Sequence, residues 1–261
     1  ELTGGEPMMH PDIEELIRYA RKLDFYKVMM ISNAYLFNEA RVEALNDAGL
    51  QSLQISVDGV TPNDITVKVL KPLRKKLEVV ARVAKFPVVL SAVLGASSPH
   101  EVVEVVEFAK AHGFIPRVLV LHDGEGRMNM TTEETAAYNQ VRASIGRRFR
   151  EAGDYRTRMM AEGSAPFKCR AGSRYLYVDE FGIVHWCSQT RDTFGIPLEQ
   201  YDFAELERQF KTQKDCNAQC TLGCARTNSA GDEWRPQPDA FVPRPDVPLS
   251  SLRRTGTDAR V

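Results

Sequence analysis

Five cysteines carry the most distinctive chemistry in this sequence, and all lie in its last third: Cys169, Cys187, Cys216, Cys220 and Cys224. The last three form C-x3-C-x3-C, and the first two frame the stretch CRAGSRYLYVDEFGIVHWC. Thiolates grouped in this way suit zinc, copper(I) or an iron–sulfur cluster. Disulfides would favour an even count and an oxidising compartment, and no apolar signal segment opens the chain. Cysteines used merely as small core residues would not leave the first 168 positions empty. The pattern therefore predicts a cysteine-free scaffold joined to a metal module.

A second set of chemically useful residues sits in short loops: TGGEP (3–7), SNAYL (32–36), SVDG (56–59), the segment after Val93, and HDGEG (122–126). The elements around them alternate. Ile13, Leu16, Ile17, Ala20 and Leu23 recur at helical spacing over 11–23, with Pro11 where a helix tolerates it. The apolar runs KVMMISN (27–33), SLQISVDG (52–59), PVVLSAVLG (87–95) and PRVLVLHD (116–123) read as strands. Helices are expected at about 38–48, 72–85, 99–112 and 131–152, with Gly49 and Gly113 as stops. Regular β–α order with apolar strands predicts a parallel sheet covered by helices, in a barrel or a doubly wound sheet. Both place ligands at the carboxyl ends of the strands, where these loops lie. Residues 153–168 read as a linker. A hairpin follows at 173–186, with His185 expected to face solvent or to lie behind the metal ligands, and then a short helix near 202–212. From about 231 the chain is rich in Pro, Arg and Asp and is expected to be disordered or extended.

With 261 residues, 43% hydrophobic and a net charge of -1, the chain suits a globular α/β protein and offers no basic field for nucleic acid or membrane. The longest apolar runs, such as VLVL at 118–121, are too short to span a bilayer, so a soluble, cytoplasmic protein is expected.

TGGEP, placed at a strand end before a helix and ahead of further βα units and a cysteine-rich tail, resembles radical S-adenosylmethionine (radical SAM) enzymes with a C-terminal auxiliary-cluster domain of the SPASM or twitch type. The resemblance covers about 1–228. It implies a partial (β/α)6 TIM-like barrel over 1–152, an auxiliary domain over 153–230 and a tail over 231–261. It implies that Gly4, Gly5, Glu6 and Pro7 bind the methionyl amino group of SAM. Asn33 matches a position where the family often shows TNG, with Ala34 here in place of the glycine. Ser56 and Asp58 match a strand-end SxDG near the SAM ribose and carboxylate or the substrate. Cys169, Cys187, Cys216, Cys220 and Cys224 match auxiliary-domain cysteines. One auxiliary 4Fe–4S cluster is then expected, on Cys169, Cys187 and two of the trailing three, with Cys220 and Cys224 favoured. The family's C-x3-C-x2-C should lie one unit before GGEP and is not found in these residues, so the chain is expected to be a fragment lacking the first βα unit and inactive alone.

The activity implied for the intact enzyme is of oxidoreductase or transferase type: reductive cleavage of SAM to a 5′-deoxyadenosyl radical and hydrogen abstraction from a small molecule or peptide. An electron donor such as flavodoxin or ferredoxin would serve it. Local readings of the same residues stay open. Asn33 also suits a helix-entry cap, and Ser56 and Asp58 suit a plain turn. His122 and Asp123 end a strand on the active face, where a His also serves packing. A non-catalytic protein with a structural zinc module, or a pure electron carrier, would explain the cysteines without SAM.

Overall fold

The computed structural model describes residues 1–121, 128–144, 159, 167–191, 193–214, 220 and 222–229. Four parallel strands, β1 (Met29–Ser32), β2 (Ser52–Ser56), β3 (Val88–Leu94) and β4 (Ile115–Val120), form one sheet in the order β1-β2-β3-β4. Leu2 bridges Met30 in parallel on the outer side of β1, with Leu2 N–H donating to Met29 O at 2.7 Å. TGGEP therefore leaves the sheet at its carboxyl edge. Sequential order among parallel strands, with right-handed crossovers, sends the helices to one face. These are α1 (Ile13–Lys22), α2 (Glu39–Ala48), α3 (Leu70–Val83), α4 (Pro99–Ala111) and α5 (Thr132–Ser144). α2 packs on α1 and α3, and α4 packs on β3, β4 and α5. The chain is an α/β protein.

The strands bury their helix-facing side chains almost completely. Met30, Leu53, Ile55, Leu90, Ala92 and Leu94 form this layer, against Ile17, Val42, Leu45, Leu73, Leu77, Val80 and Val105 from the helices. Each such side chain contributes about 1.5–3 kcal/mol by leaving water. Local signals set the helix ends. Asn38 and Ser98 cap α2 and α4, and Gly49, at φ 84°, closes α2. α3 begins two residues earlier than the sequence predicts. The carbonyls of Gly59 and Val60 accept the N–H groups of Leu70 and Lys71, both at 2.9 Å, which satisfies a start with no side-chain cap. Pro72 still falls in the first turn, where its missing N–H costs nothing.

By its contacts the chain divides into two compact units, Glu1–Asp123 with Met128–Ala152, and Gly124–Arg127 with Gly153–Val261. The second unit contains the expected hairpin: β5 (Tyr177–Val178) pairs antiparallel with β6 (Ile183–His185) around the turn at Gly182, φ 73°. A further strand, β7 (Ile196–Pro197), pairs with β6. α6 (Phe203–Lys211), capped by Asp202, and α7 (Gly223–Ser229) complete it. Ala171, Trp186, Phe194 and Ala225 form its small apolar core.

Of the two expectations for His185, the solvent-facing one fails. His185 is 4% exposed rather than solvent-facing. The chain just before β7 covers it: its Nδ1 meets Phe194 O at 2.5 Å, its Nε2 meets Asp179 Oδ2 at 2.9 Å, and Gly195 packs against the ring. His122, Asp123, Cys216, the helix beyond Ser144, most of the expected linker and the tail from 231 lie outside the described residues.

Candidate functional site

The carboxyl edge of the sheet gathers the front-half candidates. Gly4 takes φ 148°, a conformation that side-chain-bearing residues rarely adopt, and no atom lies within 4 Å of where a Cβ would sit on Gly4 or Gly5. The two glycines thus expose bare backbone. Glu6 then turns into the short 3-10 helix Pro7–Met9. Its carboxylate is held by three donors: Ser32 Oγ at 2.7 Å and Met8 N at 3.1 Å on Oε1, and Asn33 N at 2.8 Å on Oε2. Glu6 therefore pins the end of β1 to the TGGEP turn. Ser32 also accepts from Ala34 N at 3.0 Å, and Asn33 Oδ1 accepts from Tyr35 N at 3.0 Å. Sequence reasoning chose Glu6 and Asn33 but missed Ser32, the hydroxyl that links them; its place at a strand end directly before Asn33 was the available signal.

Ser56 ends β2 and is half-buried. Asp58 is buried, and its carboxylate accepts from Thr66 Oγ1 at 2.8 Å and pairs with Lys68 Nζ at 3.6 Å. It closes the loop 57–69 on itself. A second clamp holds that loop to the start of α4: Glu101 accepts from Val60 N at 3.2 Å and from Thr61 Oγ1, and Asn63 Nδ2 donates to Ala96 O at 3.0 Å and Ser97 Oγ at 3.2 Å. Gly59 fits only because it lacks a Cβ, which would overlap Ser97. Thr66, Lys68, Asn63 and Glu101 carry no sequence signal beyond polarity.

In the second unit, Cys187 lies near enough to Cys169 to disfavour the Cys169 thiolate slightly. Burial pushes the Cys169 thiol up; the Ala171 N–H and the nearby Lys214 ammonium offset this in part. Cys187 is buried beside Trp186. Leu222 and Ala225, which flank Cys224 in sequence, pack on the same core as Cys169, and Arg170 N donates to Ser229 Oγ of α7 at 2.8 Å. Of the described thiols, Cys169 packs on this core and Cys187 follows its Trp186, while Cys220 precedes α7 and Cys224 lies within its first turn. Among the described residues, no three or more His, Cys, Asp or Glu side chains are grouped to hold a metal ion.

The supporting polar groups of this unit were not legible in the sequence. Arg170 is 1% exposed, with Nη1 donating to Phe210 O at 2.5 Å and the guanidinium 3.9 Å from the Phe210 ring centre. Trp186 Nε1 donates to Gln209 Oε1 at 2.7 Å, and Gln209 Nε2 donates to Glu205 Oε1 at 2.6 Å. Burial acts to raise Asp179, but the His185 bond and the N–H groups of Ile183 and Phe181 outweigh it and hold the carboxyl below its usual range.

Comparison with known proteins bears on the first unit. The model of the radical SAM superfamily matches residues 1–138, just over half of the chain. The chain belongs to the radical SAM superfamily. Members of that superfamily use SAM and 4Fe–4S clusters. This radical SAM chain is similar to the PqqA peptide cyclase of Gluconobacter oxydans, 44% identical over 23% of the chain and 16% of the relative. It is 28% identical to the GTP 3',8-cyclase of Aliarcobacter butzleri over 52% of the chain and 45% of the relative. It is 35% identical to the PqqA peptide cyclase of Rhizobium meliloti over 41% of the chain and 30% of the relative. The chain thus spans less than half the length of each of these relatives. Radical SAM membership also gives Ala34 a context: it takes φ 63°, a left-handed conformation free only to glycine, which is the residue the TNG pattern puts there. Among the described residues no helix is long and apolar enough to cross a membrane.

Proposed function

We propose that this chain supplies the SAM-binding edge and an auxiliary-cluster lobe of a radical SAM enzyme, with the sheet forming part of a (β/α)6 barrel over 1–152 and the lobe over 153–230. The observation that carries the reading is the Glu6 carboxylate tied to Ser32 and Asn33 beside the bare backbone of Gly4 and Gly5. That turn offers peptide groups to a ligand's ammonium and carboxylate, and the residues present fit SAM. Gly4, Gly5 and Pro7 shape the cradle, and Glu6 fixes its floor with one lone pair of Oε2 left to accept. Asn33 and Ser56 face the ligand at the strand ends, while Asp58 holds the loop that presents Ser56. With a reduced cluster, SAM supplies one-electron radical chemistry that abstracts hydrogen from a substrate. The named relatives are cyclases of GTP and of a peptide, so the substrate is read as a small molecule or peptide. A flavodoxin or ferredoxin is the proposed electron source.

The chain's own residues bind, orient and exclude water; the C-x3-C-x2-C of the catalytic cluster is not among its 261 residues. The test is therefore a SAM titration of the chain extended upstream by such a unit. Glu6→Ala should weaken binding about 10- to 150-fold, the loss of a charge-assisted hydrogen-bond network. Unchanged affinity sinks the assignment.

For the lobe, Cys169 and Cys187 with two of Cys216, Cys220 and Cys224 are the proposed ligands of one 4Fe–4S cluster. Iron with equimolar sulfide after anaerobic purification would fit this reading; stoichiometric zinc in a colourless protein would replace it with a structural zinc module. Single Cys→Ser variants should lose iron at Cys169 and Cys187.

A further inference from the structure

Cys187 stands where a helical turn usually takes an oxygen. It is the N-cap of the 3-10 turn Ser188–Thr190, a position that Ser, Thr, Asp and Asn favour. Thr190, 2% exposed, folds back on it. The Thr190 hydroxyl oxygen accepts from Cys187 N at 3.0 Å. The same hydroxyl has two acceptors in reach, Cys187 O at 3.0 Å and Cys187 Sγ at 3.7 Å. A hydroxyl carries one proton and turns it to the better acceptor. A thiol sulfur accepts weakly, so the carbonyl holds the proton while Cys187 is a thiol. An anionic sulfur accepts far better, and the proton then turns to it. Cys187 and Trp186 are buried, so little water competes for either bond. Cys169, the other thiol of this hairpin, has a donor of its own in the Ala171 N–H. Donors on both sulfurs fit thiolates held for a metal or cluster. A buried thiol used as a small apolar residue needs neither.

We propose that Thr190 is a positioning residue of the metal module: its hydroxyl fixes the Cys187 thiolate for ligation and raises the reduction potential of the group that the thiolate holds. The potential rises because a hydrogen bond to a ligand sulfur favours the more negative, reduced state. The proposal rests on the reading of Cys187 as a ligand, and it adds the residue that governs that ligand.

The test uses the full chain, purified anaerobically, in two variants. Thr190→Val keeps the shape and loses the hydroxyl; Thr190→Ser keeps the hydroxyl. With iron bound, a redox titration followed by absorbance reads the midpoint potential. Thr190→Val should lower it by the equivalent of about 3- to 10-fold in the redox equilibrium, or about 30–60 mV for a one-electron couple. Thr190→Ser should keep the wild-type potential. Thr193→Val removes a hydroxyl that bonds Thr190 O in the same turn, and it should change nothing. Thr190→Val also strands the Cys187 N–H, so a lower Tm is expected for a merely structural role as well, and the potential is the deciding readout. If Thr190→Val does not fold, Thr190→Ala should show the same fall. An unchanged potential in the hydroxyl-free variant, or an equal fall in Thr190→Ser or Thr193→Val, overturns the proposal. Failure of the cluster reading looks different, because wild type then carries zinc in place of iron. Chelator competition would in that case show Thr190→Val holding zinc about 10-fold or more weakly than wild type and Thr190→Ser. Equal zinc affinity overturns the proposal, and a wild type without metal overturns both readings.

Discussion

The two units of this chain bury polar groups in opposite ways. In the βα unit the sheet's helix-facing layer is almost wholly aliphatic, and the described buried polar residues lie at strand ends, on the far face or in the loop after β2: Ser32, Ser52, Gln54, Asp58, Thr66 and Ser91. Among its described residues the cysteine-bearing unit has an apolar core of Ala171, Trp186, Phe194 and Ala225, and it also buries Arg170, His185, Thr190, Glu205, Gln209, Thr212 and Ser229. A large repeating unit can rest on apolar area alone. The described part of the second unit adds a hydrogen-bonded network, which is stable only when every member is satisfied. The first unit should therefore lose stability in proportion to area removed. The second should lose it in steps, and metal bound by its thiols would reinforce it.

The sharpest break of this contrast is Leu53→Ala, which should cost the βα unit about 2–5 kcal/mol. Hydrogen exchange should show the loss over β1–β4, with protection of the second unit unchanged. Next is Gln209→Leu, which keeps volume but removes the acceptor of the Trp186 indole N–H and a donor to the Glu205 carboxylate, at a cost of about 1–3 kcal/mol. Both tryptophans of the chain, Trp186 and Trp234, belong to the second unit, so fluorescence-detected urea unfolding follows it selectively. If Gln209→Leu left that transition in place, the network would be incidental.

Acid should separate the units further. The folded Asp179 carboxyl lies below its unfolded value, so its stabilisation is complete above about pH 4 and is lost as the pH falls through the depressed folded value. The fluorescence transition should loosen over that acid window, and Asp179→Asn should remove this pH dependence. The smallest effect is a gain. Ala34→Gly should relieve a left-handed alanine and stabilise the βα unit by up to about 1 kcal/mol, offset in part by the unfolded chain's added freedom. A lower Tm would mean that the buried Ala34 methyl matters more than its backbone.

What could be read from the sequence follows the same division. Apolar runs such as PVVLSAVLG and stops such as Gly49 and Gly113 carry β and α periodicity directly, because in a repeating βα unit burial depends on the local pattern. The GGEP turn was legible for the same reason. The partners of Glu6 and Asp58 were not, since Ser32, Thr66 and Lys68 meet them only once the strands have paired. The early start of α3 was hidden because backbone carbonyls, not a side chain, cap it. In the second unit β7 is two residues long and ends in Pro197, too short for any periodic signal, and so the cover over His185 went unseen. Arg170 reads as a surface residue by type; only the Phe210 ring and carbonyl make its burial possible.

The sequential order β1-β2-β3-β4 also bears on how the chain comes into being. Each strand pairs with the one just before it, across a single helix, and needs nothing synthesised later to find its place. On the ribosome the sheet can then grow one βα unit at a time, each new strand docking on a finished edge, much as tandem arrays assemble by nearest-neighbour contacts. Pieces of such a protein cut between units should keep their native pairing.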